Sequence, residues 1–272
     1  MKDLRVFGAA LLVGGFGLGF LVRPHVERAG TPPAPSASAS ASAPKAQASV
    51  SASPSSSSIA AETKVAFENV YKNATWGTND AGVGNSGTGS TLDATLLYRT
   101  FLQQFIRNNE IRSVVDAGCG DWEFSSAIDW TGIDYKGYDI ASQVIAHDKK
   151  TYAKPNIQFF EADIVEQDLP KADLLVSKHV LQHLPNASVK KFLDRHVGRY
   201  KHILITSGVD HESFVGGNGD IAPGLYRTLD PTAPPFNVPG LKILTYTDGY
   251  HMHQVVHIGD KPRFGPPSPS GK

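Results

Sequence analysis

The chain has 272 residues, 40% hydrophobic and 19% charged, the proportions of a soluble globular protein with a sizeable core. Basic and acidic residues number 26 each, so the formal net charge is zero, and without a polybasic tract to neutralise phosphates no nucleic acid is expected as a partner. Cys119 is the single cysteine, which excludes an internal disulfide framework and a thiolate zinc cluster.

Residues 6–22, VFGAALLVGGFGLGFLV, form an uncharged apolar run of 17, at the short end of what spans a bilayer. The segment 1–29 therefore reads as an N-terminal transmembrane anchor, with the membrane as a partner. The alternative is a signal peptide with Lys2 and Arg5 as its basic start, which would export the protein. Lys2 and Arg5 before the run are balanced by Arg23 and Arg28 after it, so charge leaves the topology open. Residues 30–61 are rich in Pro, Ala and Ser, with Lys45 their only charge; they are too poor in large apolar groups to offset the entropy of ordering and predict a disordered linker.

Residues 62–262 carry short apolar runs alternating with helical patterns. This predicts an α/β domain: a Rossmann-like, doubly wound, mostly parallel seven-stranded sheet closed by a C-terminal antiparallel hairpin. The spacing of Leu97, Tyr98, Phe101, Leu102, Phe105 and Ile106 predicts a helix over 91–107. Strands are expected at 112–117, 135–139, 156–161, 172–177 and 201–206. A helix over 186–200 would bury Val189, Phe192, Leu193, Val197 and Tyr200, with Asn186 near its start as a cap. Runs at 241–246 and 253–258, joined around Asp248-Gly249, predict the hairpin. Residues 263–272 read as a disordered tail.

The first strand ends in Asp116 and runs into Gly118-Cys119-Gly120, placing small residues where backbone approaches a ligand at the carboxyl edge of a sheet. A dinucleotide fingerprint needs a third glycine where Glu123 stands, and no Gly-Lys-Ser/Thr follows, so NAD and P-loop readings are disfavoured. The second strand ends in Asp139, placed to accept hydrogen bonds from ribose hydroxyls; the third leads to Asp163, placed to accept from an adenine amino group. Either acid has an alternative use as a helix cap.

Through VVDAGCGDW, the Asp139 strand end, FFEAD and ADLLVSKHVLQHL, the segment from Val65 to Asp260 resembles the class I S-adenosylmethionine-dependent methyltransferases, in a bacterial branch. The resemblance implies S-adenosylmethionine as cofactor. It implies Asp116, Gly118 and Gly120 facing the methionine moiety, Asp139 at the ribose and Asp163 at the adenine. Because the cofactor is made in the cytoplasm, a catalytic domain on the cytoplasmic side is expected.

The acceptor is expected at the end of the fourth strand. His179 is the candidate general base, His183 a weaker one, and Lys178 a substrate contact. Asp220, Tyr226, Arg227 and Asp230, in a long Gly/Pro-rich insert, offer further donors and acceptors to a small or sugar-like molecule. Ser86-Gly87-Thr88-Gly89-Ser90 reads as a lid over the cofactor carboxylate. His251, His253 and His257 share a strand face, but without a carboxylate or thiolate fourth ligand no metal is expected. The expected reaction is methyl transfer to oxygen or nitrogen. The alternative is a membrane-tethered scaffold or sensor that binds the adenosyl ligand without turnover.

Overall fold

A computed structural model describes residues 56–78, 85–209, 218–249 and 251–265; the expected anchor, most of the linker and most of the tail lie outside them. Among the described residues no helix is long and apolar enough to cross a membrane.

The first helix, α1 (Ser56–Lys72), starts inside the stretch expected to be linker. Its reason is tertiary: Thr63, Phe67, Val70 and Tyr71 recur at helical spacing and are all buried. On its outer side Lys64 pairs with Glu161, an exposed contact that contributes little to stability. A 3-10 turn at Thr88–Ser90 precedes α2 (Leu96–Asn108), which buries Tyr98, Leu102, Phe105 and Ile106. Leu97, expected on that face, is exposed.

The seven strands are β1 (Ser113–Ala117), β2 (Asp134–Asp139), β3 (Ile157–Glu161), β4 (Leu174–Lys178), β5 (His202–Val209), β6 (Leu241–Thr247) and β7 (Met252–Gly259). Their order is β3-β2-β1-β4-β5-β7-β6. The first five pair in parallel, and β7 runs antiparallel to both β5 and β6. Strand β4 is buried along its whole length, as a central parallel strand covered on both faces must be. On one face α2 packs with Val114, Leu174 and Leu204; on the other, Val189, Phe192 and Leu193 of α4 (Asn186–His196) pack with Val115, Leu175 and Ile203. The third helix, α3 (Ser142–Thr151), follows β2.

Asn186 is the first residue of α4 rather than its cap. Its backbone N–H donates to Asp220 Oδ1 at 2.7 Å, so a carboxylate from the long insert satisfies the helix start. At the other end of the domain, Arg263, expected in the free tail, exchanges hydrogen bonds with Asn109: its N–H donates to Asn109 Oδ1 at 2.8 Å, and Asn109 Nδ2 donates to its carbonyl at 3.2 Å. The parallel strands β1, β2 and β4 all end at one edge of the sheet, at Ala117, Asp139 and Lys178, and the site lies there.

Candidate active site at the carboxyl edge of the sheet

The turn after β1 is built on positive φ, 88° at Gly118 and 58° at Gly120. A Cβ on Gly118 would lie 2.3 Å from Val180 Cγ2, so the second strand-to-helix turn, after β4, closes directly over the first. Gly118 and Cys119 donate their N–H groups to the Tyr138 carbonyl at 2.8 and 3.0 Å, tying the turn to β2.

Asp139 is buried at the end of β2, where Oδ2 accepts the Gly120 N–H at 3.1 Å and Oδ1 the Ala141 N–H at 3.0 Å. Burial pushes its pKa up, and these amides restrain the rise. Asp116 accepts the Tyr135 hydroxyl at 2.6 Å, and burial pushes its carboxyl up to about 7. Lys178 donates to the Gly89 carbonyl at 2.7 Å with its ammonium 4.9 Å from the Phe124 ring centroid; burial pulls it down to about 7, against the pull of Asp116.

These groups border a cavity of about 360 Å3. Asp116, Gly118, Gly120 and Asp139 line one end; Lys178, His179, Gln182, His183, Tyr226 and the β6–β7 residues Asp248, His251 and His253 line the other. Phe67 and Tyr71 of α1 form part of the wall. The segment expected as a lid is fixed across the glycine turn: the Ser86 N–H donates to Asp121 Oδ2 at 2.9 Å, and the Asp121 N–H donates to Ser86 Oγ at 2.8 Å. A second, smaller cleft shares Phe67, Gly118, Asp139 and Val180 with the first and is bordered by Asp163 and the apolar side chains of Ile140 and Leu184. There Asp163 Oδ1 already accepts the Val165 and Glu166 N–H groups at 2.8 and 3.2 Å, so this acid serves the local turn as well as facing the cleft.

The histidines separate into distinct roles. His183 is held at both ring nitrogens: Nδ1 donates to the Leu225 carbonyl at 3.0 Å, Nε2 lies 3.3 Å from Gln182 Nε2, and the ring rests on Trp76. Burial takes its pKa down to about 4, a structural setting rather than a proton-transfer one. His179 follows β4 at φ 56°, with Nδ1 3.2 Å from Lys178 Nζ and Nε2 buried without a partner. Its ring centroid lies 4.5 Å from that of His253, whose Nε2 is 2.9 Å from Asp248 Oδ2. His257 meets His202 instead, Nε2 to Nδ1 at 3.0 Å, so the three histidines of β7 and its approach do not converge on one point.

Of the insert residues expected at the acceptor, Tyr226 alone reaches the cavity. Asp220 caps α4. Arg227 is buried, donating to the Leu184 carbonyl at 2.7 Å and to Asn186 Oδ1 at 2.9 Å. Asp230 pairs with Lys242 at 2.6 Å and accepts from Thr232. Their polarity stitches the insert to α4 and β6. Conversely, Phe67, Tyr71 and Asp248 are cavity residues not expected at the site from the sequence, and His253, weighed there only as one of three strand-face histidines, is another. The i, i+4 pair Phe67–Tyr71 and the Asp248-Gly249 turn were their available signals.

Residues 114–201 match a family model described as a methyltransferase domain. N-methyltransferase NodS from Bradyrhizobium japonicum WM9, solved with S-adenosyl-L-homocysteine, is 13% identical, with a TM-score of 0.52 over 71% of this chain and 98% of that one. Magnesium protoporphyrin IX methyltransferase from Synechocystis PCC 6803 is 14% identical over 62% of this chain and 84% of that one, with a TM-score of 0.46. No curated protein matches the sequence. At such identities the structural likeness is one of fold. The strand order, the glycine turn and the matched segment define an α/β domain of the class I methyltransferase type. Residues 114–201 are thus similar to a methyltransferase domain, and the fold is the one shared with NodS.

Proposed function

We propose that the domain transfers the cofactor methyl group to an oxygen or nitrogen atom of a small or sugar-like acceptor that enters beside Tyr226 and meets the cofactor near Lys178 and His179. The observation that carries this is one cavity lined both by the strand-end acids Asp116 and Asp139 and by Lys178, His179, Asp248 and His253.

The donor set suits an adenosyl sulfonium. Each Asp139 oxygen accepts one amide and keeps a lone pair for a ribose hydroxyl. Asp163 faces the apolar cleft where an adenine ring would lie, and Gly118 and Gly120 line the cavity where the methionine moiety would lie. Asp116 is placed to meet its ammonium. The cofactor, when bound, supplies a methyl group on a sulfonium that is already a good leaving group. The chain's own residues orient the acceptor for in-line attack and exclude water. Residues 6–22 tether the domain to a membrane, with the domain on the cytoplasmic side.

Calorimetry of the full chain in detergent with S-adenosylmethionine, S-adenosylhomocysteine and NAD tests the site. Binding of the first two and not the third is expected, and Asp139→Ala should abolish it. No adenosyl binding, or indifference to Asp139→Ala, would refute the assignment. External protease acting on residues 30–61 of intact cells would overturn the topology, since the linker should be protected.

A further inference from the structure

We propose that His253, oriented by Asp248, is the general base that takes a proton from the acceptor, and that the acceptor is therefore a hydroxyl compound. The inference rests on the cofactor placement proposed above, and it assigns the reaction to a pair of residues on β7 and the β6–β7 connection.

Both members of the pair are almost fully buried, with side-chain exposures of 6% for His253 and 4% for Asp248. The carboxylate is fixed: Oδ1 accepts the His251 N–H at 2.8 Å while Oδ2 faces His253 Nε2 at 2.9 Å. A carboxylate can only accept, so the ring proton of neutral His253 lies on Nε2 and the lone pair on Nδ1. That Nδ1 is buried with no hydrogen-bond partner, on a residue bordering the cavity. A buried acceptor without a donor costs roughly 1–3 kcal/mol, a cost relieved if a substrate hydroxyl occupies the position.

His179 supplies the complementary group. Lys178 Nζ, a donor, lies 3.2 Å from its Nδ1, which places the ring proton on Nε2, also buried and without a partner. The two imidazoles, tilted at 37° with 4.5 Å between centroids, thus bring one bare nitrogen and one N–H into the same buried pair of cavity-lining residues, which a substrate hydroxyl reaches by a small shift of the rings. A hydroxyl needs that combination: an acceptor for its proton, and a donor for the negative charge that grows on its oxygen. An ionised carboxylate acceptor would need no base. An ammonium acceptor would meet Lys178 and imidazoles, with both oxygens of Asp248 already engaged. Burial keeps His253 neutral despite the opposing influence of Asp248, so the lone pair is present at neutral pH.

In the step, the acceptor oxygen forms its bond to the methyl carbon while the carbon–sulfur bond breaks and its electron pair remains on sulfur as a neutral thioether. The hydroxyl proton passes to His253 Nδ1, and the imidazolium formed is stabilised by Asp248 before releasing the proton to solvent. Lys178 and His179 from the end of β4, Tyr246 from β6, and Asp248 and His251 from the connection are the ionisable groups around His253.

Three measurements on the full chain in detergent test this. Calorimetry with S-adenosylmethionine comes first; loss of binding in the unmodified chain would refute the cofactor placement, a separate failure. Imidazole 15N NMR, with His253 assigned by its absence in His253→Gln, should show a bare Nδ1 and a protonated Nε2, and Asp248→Asn should perturb that tautomer. A protonated Nδ1 in the unmodified chain would overturn the proposal. Turnover is then measured with methyl-labelled cofactor against phenol, benzyl alcohol, benzylamine and benzoate. Methylation of a hydroxyl probe, lowered roughly 100- to 10,000-fold in His253→Gln with cofactor affinity held within about twofold, is expected of a lost general base, together with loss of the acid limb of the kcat profile. Methylation confined to benzoate or benzylamine, or undiminished in His253→Gln, would overturn it. If no probe turns over, the tautomer decides.

Discussion

The Asp116–Lys178 pair makes cofactor affinity pH-dependent in a calculable direction. Burial raises Asp116 from 3.8 to about 7 and lowers Lys178 from 10.5 to about 7. At 1.36 kcal/mol per unit, these shifts correspond to roughly 4 and 5 kcal/mol favouring the neutral forms, magnitudes that belong to the pair rather than to either residue. Below neutrality the pair carries one net positive charge, and above it the charge falls to zero or below. A sulfonium held in the cavity that Asp116 and Lys178 both line binds best to the forms with fewer protons, so its binding expels protons and strengthens as pH rises, by up to about tenfold per unit for each proton released. S-adenosylhomocysteine has the same amino-acid moiety but no sulfonium, so the ratio of the two affinities isolates that charge. Calorimetry from pH 6 to 8, in buffers of different ionisation enthalpy, should show the ratio rising roughly tenfold or more in favour of S-adenosylmethionine, with measurable proton release. Asp116→Asn should reduce the slope, and Asp116→Asn with Lys178→Met should remove it. A flat ratio in the unmodified chain, or a slope that survives in the double variant, would refute the reasoning.

Asp148 is fully buried and one of its oxygens has no partner; burial pushes its pKa up to about 9. The folded chain keeps a proton there that the unfolded chain loses near 3.8, so stability falls by about 1.4 kcal/mol per pH unit across that window. Asp148→Asn should flatten denaturant midpoints between pH 5 and 9, and an unchanged slope would exclude Asp148 as its source. Arg227→Leu leaves the Leu184 carbonyl and Asn186 Oδ1 without their donor and should cost about 1–3 kcal/mol for each buried group left unpaired, with S-adenosylmethionine affinity unchanged in calorimetry. Gly118→Ala places a Cβ 2.3 Å from Val180 at a φ that disfavours side chains, and should weaken cofactor binding at least tenfold.

Most strands were legible because they are short runs rich in β-branched and aromatic residues bounded by turn residues, with β4 and β5 buried along almost their whole length. Helix α1 was not. Its 17 residues begin with serines and hold few large apolar groups, and its order comes from Phe67 joining the core and Tyr71 packing on Ala141 and Val144 at α3, which no local propensity reports. The cofactor turn was legible because glycine at positive φ followed by a strand-end acid is a local pattern. The insert was ambiguous for the opposite reason: Asp220, Arg227 and Asp230 have the composition of a ligand site, and the same side chains serve to satisfy helix ends and buried carbonyls.

Asp248 and His253 stand more than 120 residues beyond the glycine turn, and strand order alone brings them to it. In a simple meander β6 would pair with β5, leaving β7 outermost and His253 one strand, about 4.8 Å, farther from β5. Instead β7 inserts between β5 and β6, setting His253 opposite Gly208, while Lys178 lies opposite Thr206 on the other side of β5. At Gly208 a Cβ would lie 2.4 Å from the Tyr226 hydroxyl, which takes its place, and the period of two along β5 puts positions 206 and 208 on the same face. Lys178, with His179 after it, and His253 thus meet across a single strand. A register slip of one residue in β7 would turn His253 to the opposite face and remove the imidazole pair, so the antiparallel end of the sheet specifies the His253 side of the cavity as the parallel strands specify the Asp116 and Asp139 side.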